Sequence, residues 1–545
     1  MTVASVPETF AETMAAIERE ELPPNLGTLL DDAAARFGDR PLWVPIQEPG
    51  AALSFSAFAE WTGRCVSFLE SWGVGPGSHV AVMLPNVAAF PITWLAIARL
   101  GAVLVPVNNH NTAHELAQVL DASDAEFLVI DRAQLGVFSE IPAGKLRIGP
   151  GRVAVHGGSA TGGELDWLTS VAPAPVAVGR GRDIDPDRLL SIQFTSGSTG
   201  LPKGCMLSQR YWVTIGRVRA AHGLPSERFL ADMPLHYMGG QWRFLMALWS
   251  GATAFVAGRP SLSQFLDRLL SQGLQFCVVN NAMAKLPHDP RYAGLNLRWV
   301  GSVALQKELQ EPFERRLGAP IRELYGTTET GSTLHVPAAA TEMVGSGACG
   351  LPVAFRECMV AGPGGEPLPA GETGELWVAG PDILHGYYKR PDADAQVRRG
   401  RWFRTGDLAR QDRDGYFYIA GRIKDVIRRA GENIAAAEVE AALNAMPEVL
   451  EAAAVPVPDT VRGEEVKVYI ALSPGLLPAE LPPDRILEHC RTRLARFKLP
   501  RYLEFVDRMP RTGSDKIAKP ELIARRADLR EGSFDFVDGI WRQPR

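Results

Sequence analysis

Ile192-Gln193-Phe194-Thr195-Ser196-Gly197-Ser198-Thr199-Gly200-Leu201-Pro202-Lys203-Gly204 is an apolar run that breaks into a loop of Gly, Ser and Thr and closes on Pro-Lys-Gly. Small residues let backbone N–H groups turn toward one point, hydroxyls add donors, and Lys203 adds a positive charge. That combination suits a polyphosphate. It is not the common P-loop, G-x-x-x-x-G-K-[ST]. Counted from Gly197, Pro202 stands at the second glycine and Gly204 at the Ser/Thr that would hold magnesium. The loop therefore reads as the phosphate cradle of a different kind of nucleotide enzyme.

Around this segment, short apolar runs alternate with helical patterns. Residues 80–84 and 102–105 read as strands flanking a helix within 87–100, and further strands are expected at 126–130, 252–256, 275–279 and 297–301. Strands separated by helices imply parallel sheets of the α/β class. The Gly/Pro-rich stretches 143–164 and 173–186 read as excursions or linkers. From Gly350 the texture changes to turn signals between strand-like runs at 357–361 and 374–379, an antiparallel, barrel-like section. After Gly421 alternation resumes in a compact tail, with helices near 436–445 and 483–493 and strands near 451–456 and 465–472.

The chain has 545 residues, too many for one core. Lys plus Arg number 57 against 62 Asp plus Glu, a net charge of -5 that gives no electrostatic case for nucleic acid or an anionic membrane. Six scattered cysteines without C-x-x-C read as reduced thiols of a cytoplasmic protein. The most apolar region, 80–107, is broken by Pro85, Pro91, Arg99 and Pro106 and cannot supply a membrane helix. His110 and His114 stand four apart, but Thr112 and Glu115 form a capping box, so a helix start explains them better than a metal does. No G-x-S-x-G elbow or strand-following G-x-G-x-x-G is present.

Four further segments follow the loop. They are Tyr325-Gly326-Thr327-Thr328-Glu329, Arg404-Thr405-Gly406-Asp407-Leu408, Gly421-Arg422-Ile423-Lys424-Asp425 with Ala430-Gly431-Glu432-Asn433-Ile434 beyond it, and Pro510-Arg511-Thr512-Gly513-Ser514-Asp515-Lys516-Ile517. In this order and spacing the chain resembles the adenylate-forming superfamily of acyl-CoA synthetases, amino-acid adenylation domains and luciferases, over about residues 25–525. Within it, the nearest branch looks like the crotonobetaine/carnitine-CoA ligase-like acyl-CoA ligases.

The resemblance implies an α/β fold. A large N-terminal domain of packed sheets plus a distorted β-barrel (1–423) would be joined, by a hinge near Lys424, to a small mobile α+β lid (424–545). It also implies roles. Thr195, Ser196, Gly197, Ser198, Thr199, Gly200 and Lys203 would hold the β- and γ-phosphates of ATP. Tyr325, with Gly326 and Thr327, would carry adenine, and Glu323, Gly301 and Ser302 would line it. Thr328 would contact the α-phosphate, Glu329 would ligate Mg²⁺, Asp407 would hold the ribose hydroxyls, and Arg422 would lie beside them. Lys516 would be the catalytic cation, with Thr195 and Glu329 completing the catalytic group. His236, Tyr237, Trp242, Val303 and Gly331 would wall the acyl pocket, and Ala430, Gly431 and Glu432 the coenzyme A tunnel.

The implied reaction joins a small-molecule carboxylic acid to CoA through acyl-AMP, with a homodimer compatible with the reading. Transfer of acyl-AMP to another acceptor, or a weak nucleotide-binding homologue, is the alternative. Two departures from the pattern bear on this. Asp515 stands where the family has Gly before the lysine, and His236-Tyr237 stands where many members have an aromatic followed by His.

Overall fold

The computed structural model describes residues 8–543 except 143, 150, 159–162, 196–202, 431 and 513–515. The chain packs as two compact units: Met1–Glu357 with Ala379–Phe403, and Cys358–Val378 with Arg404–Arg545.

The first unit holds two large sheets. The eight-stranded one runs Gly386–Tyr387, Lys203–Ser208, Leu189–Thr195, Val103–Pro106, His79–Met83, Phe127–Asp131, Val153–His156 and Leu165–Asp166. Its pairs are parallel from Leu189–Thr195 onward; the Lys203–Ser208 hairpin and the Gly386–Tyr387 strand pair antiparallel at its other edge. The nine-stranded sheet has a parallel centre, in which Phe276–Val279, Trp299–Ser302 and Ile321–Thr327 lie side by side, and it turns antiparallel at Gly331–His335. The expected strands over 80–84, 102–105, 126–130, 252–256, 275–279 and 297–301 all form within a residue or two of those bounds.

One expectation fails. Val153–His156, inside a stretch read as an excursion, is a parallel strand whose Val153, Ala154 and Val155 are buried. Four residues between glycines carry too little periodicity to announce a strand; its partner Phe127–Asp131 supplies the reason for it to form.

Helices cover the sheets because parallel strands must be buried on both faces. All twelve residues of the Ala89–Leu100 helix are buried, as expected for a helix apolar on every side. Its Trp94 meets Trp212 edge-on at 5.0 Å, and truncating a side chain buried this way typically costs about 3–5 kcal/mol. The capping box reading holds: Thr112 and Glu115 cap the Ala113–Ala122 helix reciprocally.

In the second unit, Thr373–Ala379, Trp402–Gln411 and Phe417–Arg422 belong to one sheet, as the turn signals implied. A second sheet centres on the Val449–Asp459 and Gly463–Leu472 hairpin, packed by the Ala436–Asn444 and Pro483–Arg491 helices. The aromatic tail adds two short strands to it, Phe534–Asp535 on Tyr502–Phe505 and then Ile540–Trp541. Buried Asp535 anchors that tail through ion pairs to Arg501 and Arg542.

Candidate active site

The Gly/Ser/Thr segment is flanked in sequence by two paired strands. Thr195 ends one and Lys203 begins the next, directly opposite, and Thr195 Oγ1 donates to the Lys203 carbonyl at 3.4 Å. Ser196, Gly197, Ser198, Thr199 and Gly200 lie outside the described residues. Beside the loop's base, Lys203 Nζ sits 5.1 Å from the centre of the Tyr387 ring, a cation–π distance. The Tyr387 hydroxyl in turn donates to Glu329 Oε1 at 3.0 Å, and the Glu329 carbonyl accepts from Leu384 N at 2.8 Å. Burial, then the Glu329 charge, pushes the Tyr387 phenol above its ordinary range, so it remains a donor to the carboxylate. Glu329 Oε2 takes no hydrogen bond among the described residues. A carboxylate oxygen left open beside a phosphate cradle fits Mg²⁺, which binds through one or two carboxylates plus phosphate oxygens.

Tyr325, Gly326 and Thr327 end the strand that turns back into Gly331–His335. Hydroxyls staple that turn: Thr330 N donates to Thr327 Oγ1 at 3.2 Å, and Thr330 and Thr333 hydroxyls meet at 2.8 Å. The Tyr211 hydroxyl holds it from below by donating to the Thr328 carbonyl at 2.9 Å. Only glycine suits position 326, since a Cβ there would stand 2.1 Å from the Gly331 carbonyl oxygen.

Gly301 and Ser302 lie parallel to this strand, with Ser302 opposite Glu323. The Glu323 carboxylate is engaged by the loop that follows Ser302: it accepts from Ser302 Oγ at 2.6 Å and from the Ala304 backbone N–H. Burial pushes this carboxyl up to about 7, partly offset by those donors. It acts on the 302–305 loop as a clamp. Val303 is exposed, next to Ala304 at φ 53°.

His236 is buried, and its carbonyl accepts from Gln193 Nε2 at 2.6 Å while its own Nε2 has no partner. Burial, then His110, pushes its imidazole down to about 3. Tyr237 packs edge-on against it at 4.3 Å, and Asn108 Nδ2 donates to the Tyr237 hydroxyl at 2.9 Å. Trp242 is buried on the Met238–Ser250 helix. Gly331, at φ 67°, faces Tyr211 and Arg356, each 3.3 Å from where a Cβ would be. The first unit thus gathers Thr195, Lys203, Glu329 and the 325–331 turn around one edge.

The second unit gathers the remaining charged groups. Asp407 and Arg422 face each other on paired strands and form an ion pair at 2.8 Å. The Asp407 backbone N–H donates to Thr405 Oγ1 at 3.0 Å. Lys424 is held below the ordinary lysine range by desolvation first, then by the charge of Arg422, with Lys516 acting in the same sense. Lys516 is exposed on a turn in which Thr512 N donates to its carbonyl at 2.7 Å, and Arg511 bridges Ile517. Asp515 lies outside the described residues, as does Gly431. Ala430, at φ 52°, follows the Val426–Arg429 strand, which pairs antiparallel with Glu432–Ala435, and Glu432 is exposed.

Tyr387, Tyr211 and Arg356 were absent from the sequence reading. Gly386-Tyr387 gives no local sign that it will pair with Met206 and Cys205, 180 residues upstream.

This constellation belongs to a recognisable class. Residues 30–388 match the family model of AMP-binding enzymes, and residues 438–516 match that of the AMP-binding enzyme C-terminal domain. The chain belongs to the AMP-binding enzyme family, as an adenylate-forming acyl-CoA synthetase that uses ATP, Mg²⁺ and CoA. Among individual proteins it is 33% identical to a feruloyl-CoA synthase of Amycolatopsis sp, over 88% of this chain and 95% of that one. It is 32% identical to a sulfoacetate–CoA ligase of Cupriavidus necator, over 92% and 98%. Its fold matches the crystal structure of the anthranilate CoA ligase AuaEII in complex with anthranoyl-AMP, with a TM-score of 0.85 at 23% identity, covering 93% and 98%. Among the described residues no helix is long and apolar enough to cross a membrane.

Proposed function

We propose that the residues just described carry a two-step ligation. The acid's carboxylate oxygen attacks the α-phosphorus of ATP, forming the acyl–phosphate bond as the bond to the β-phosphate oxygen breaks and pyrophosphate leaves. The thiol of CoA then attacks the acyl carbonyl, and AMP departs. The observation that carries this assignment is the Lys203–Tyr387–Glu329 cluster at the base of the Gly/Ser/Thr loop. A cation beside a partly open carboxylate supports this reading, because a polyphosphate and its metal would need both. Bound Mg²⁺ would neutralise polyphosphate charge there, held by Glu329. Asp407 would take the ribose hydroxyls with Arg422 beside it, and Glu323 would hold the 302–305 loop under the base.

Lys516 would bring an ammonium to the α-phosphate in the first step. Its exposure on a turn suits a group that must leave before the thiol arrives, by rotation at Lys424 of the lid over 424–545. His236, Tyr237, Trp242, Val303 and Gly331 would wall the acid, and Ala430, Gly431 and Glu432 the thiol's path. Cys65, Cys205, Cys277 and Cys490 are buried thiols, which supports a reducing, cytoplasmic setting. Two relatives of nearly equal identity are named for different acids, ferulate-derived and sulfoacetate, so overall likeness does not choose the acid.

The test is pyrophosphate release across a panel of carboxylic acids, with and without CoA. Thioester formation with CoA supports the ligase. Acyl-AMP that accumulates and never reaches CoA would transfer the assignment to another acceptor.

A further inference from the structure

Six arginines are buried in the described structure, and five of them have oxygen acceptors. Arg99 pairs with Asp31 and Arg322 with Glu314. Arg243 pairs with Asp232 at 2.7 Å. Arg268 donates to the Arg259 carbonyl and Gln264 Oε1, and Arg356 to three carbonyls. Arg219 differs. It is 5% exposed, its Nε and Nη1 have no hydrogen-bond partner, and it makes no ion pair among the described residues. What it touches is the face of Trp242, 4.7 Å from its guanidinium carbon.

Its surroundings are polar without being acidic. His222, at the end of the same helix, packs at a tilt against His335 with ring centres 3.9 Å apart. Ser332 Oγ meets His335 Nε2 at 2.7 Å, so His335 Nδ1 is left without a partner, as is His222 Nε2. Burial pushes His222 down to about 3, and the nearby Arg219 charge acts in the same sense. Both imidazoles are therefore neutral, and nothing here balances the guanidinium. An isolated buried charge is costly, and proteins pair it or give it to a ligand.

Arg219 lies two turns along Gln209–Ala221 from Tyr211, whose hydroxyl holds the Thr328 carbonyl. Eight residues of helix rise about 12 Å, and a helical arginine leans back toward the N-terminus, which shortens that gap.

Resting on the acyl-pocket assignment above, we propose that Arg219, backed by His222 and His335, receives a second anionic group at the far end of the acid substrate. The substrate class is then an acid with two anionic ends, a carboxylate or sulfonate opposite the reacting carboxylate, separated by an alkyl or aryl spacer.

The experiment compares matched acids with and without the distal anion, in wild type and Arg219→Met, by pyrophosphate release and by melting temperature. The expected wild-type kcat/KM is at least about tenfold higher for the doubly anionic acid, and Arg219→Met lowers that ratio at least about thirtyfold, chiefly through KM. The ligand-free variant should melt no lower than wild type, because it loses an uncompensated buried charge. The doubly anionic acid should raise the melting temperature of wild type by about 2–4 °C and leave the variant unmoved.

Wild-type turnover confined to singly charged acids would overturn the proposal and leave the ligase reading intact. Equal loss for both acids, or a variant that melts several degrees lower with no acid present, would show Arg219 to be structural. Selective stabilisation without any pyrophosphate release would uphold the anion site and sink the ligase reading.

Discussion

The two charged clusters of this protein are built in opposite ways. Around Glu329 the partners are buried and fixed: Tyr387 holds one carboxylate oxygen, Leu384 N–H the carbonyl, and paired strands frame Thr195 and Lys203. Around Asp407 the carboxylate is buried, but Arg422, Lys424 and Lys516 are all exposed, and Lys516 stands on a turn. On the proposed roles, groups that would hold a nucleotide throughout two reactions belong on packed sheet edges. A cation needed in only one of them belongs where it can move without unmaking a core.

The largest effect should split the two half-reactions. Lys516→Ala is expected to lower acyl-AMP formation by about 10²–10³-fold or more, while thioester formation from supplied acyl-AMP stays near wild type. Equal losses in both would mean the exposed cluster does not act in one step alone.

Next comes the acid lability of the packed region. His222 has its folded value depressed to about 3 from an ordinary 6.5. It costs nothing above pH 6.5. As pH falls from 6.5 toward 3, the unfolded chain binds a proton that the folded one refuses, so stability is lost. His222→Gln should flatten this loss by on the order of 1–2 kcal/mol near pH 5, read from urea midpoints at pH 7.5 and 5. Parallel curves for the two proteins would contradict the burial argument.

Removing the hydroxyl that orients Glu329 is a subtler perturbation. Tyr387→Phe should weaken apparent Mg²⁺ affinity by about tenfold, measured as the metal dependence of pyrophosphate release. An unchanged dependence would show that the fixed cluster does not need its tyrosine.

The smallest change belongs to the exposed side. Ala430 holds φ 52°, which a residue with a Cβ adopts at a cost. Ala430→Gly should raise thermal stability by about 0.5 kcal/mol.

Much of this was legible in order along the chain. The parallel strands announced themselves as apolar runs, the Thr112–Glu115 cap as a pattern, and five motifs in series identified the class. Val153–His156 was missed because four residues carry no period, and the tail's Phe534 and Trp541 revealed no partner until Tyr502–Phe505 stood beside them. Glu323 was expected to line the base; its carboxylate is engaged by Ser302 and Ala304, contacts set by the register of two parallel strands.

Sequence by itself determined which chemistry the chain can perform, because phosphate, metal and ribose each demand particular donors at particular spacings. Tertiary structure alone decided which of those donors are free. Arg243 and Arg219 are both buried arginines on helices, equivalent on paper, yet one meets Asp232 while the other lies over the Trp242 ring and, among the described residues, makes no ion pair. Whether a buried charge has a partner depends on how helices and strands pack together, and so no local reading could distinguish them.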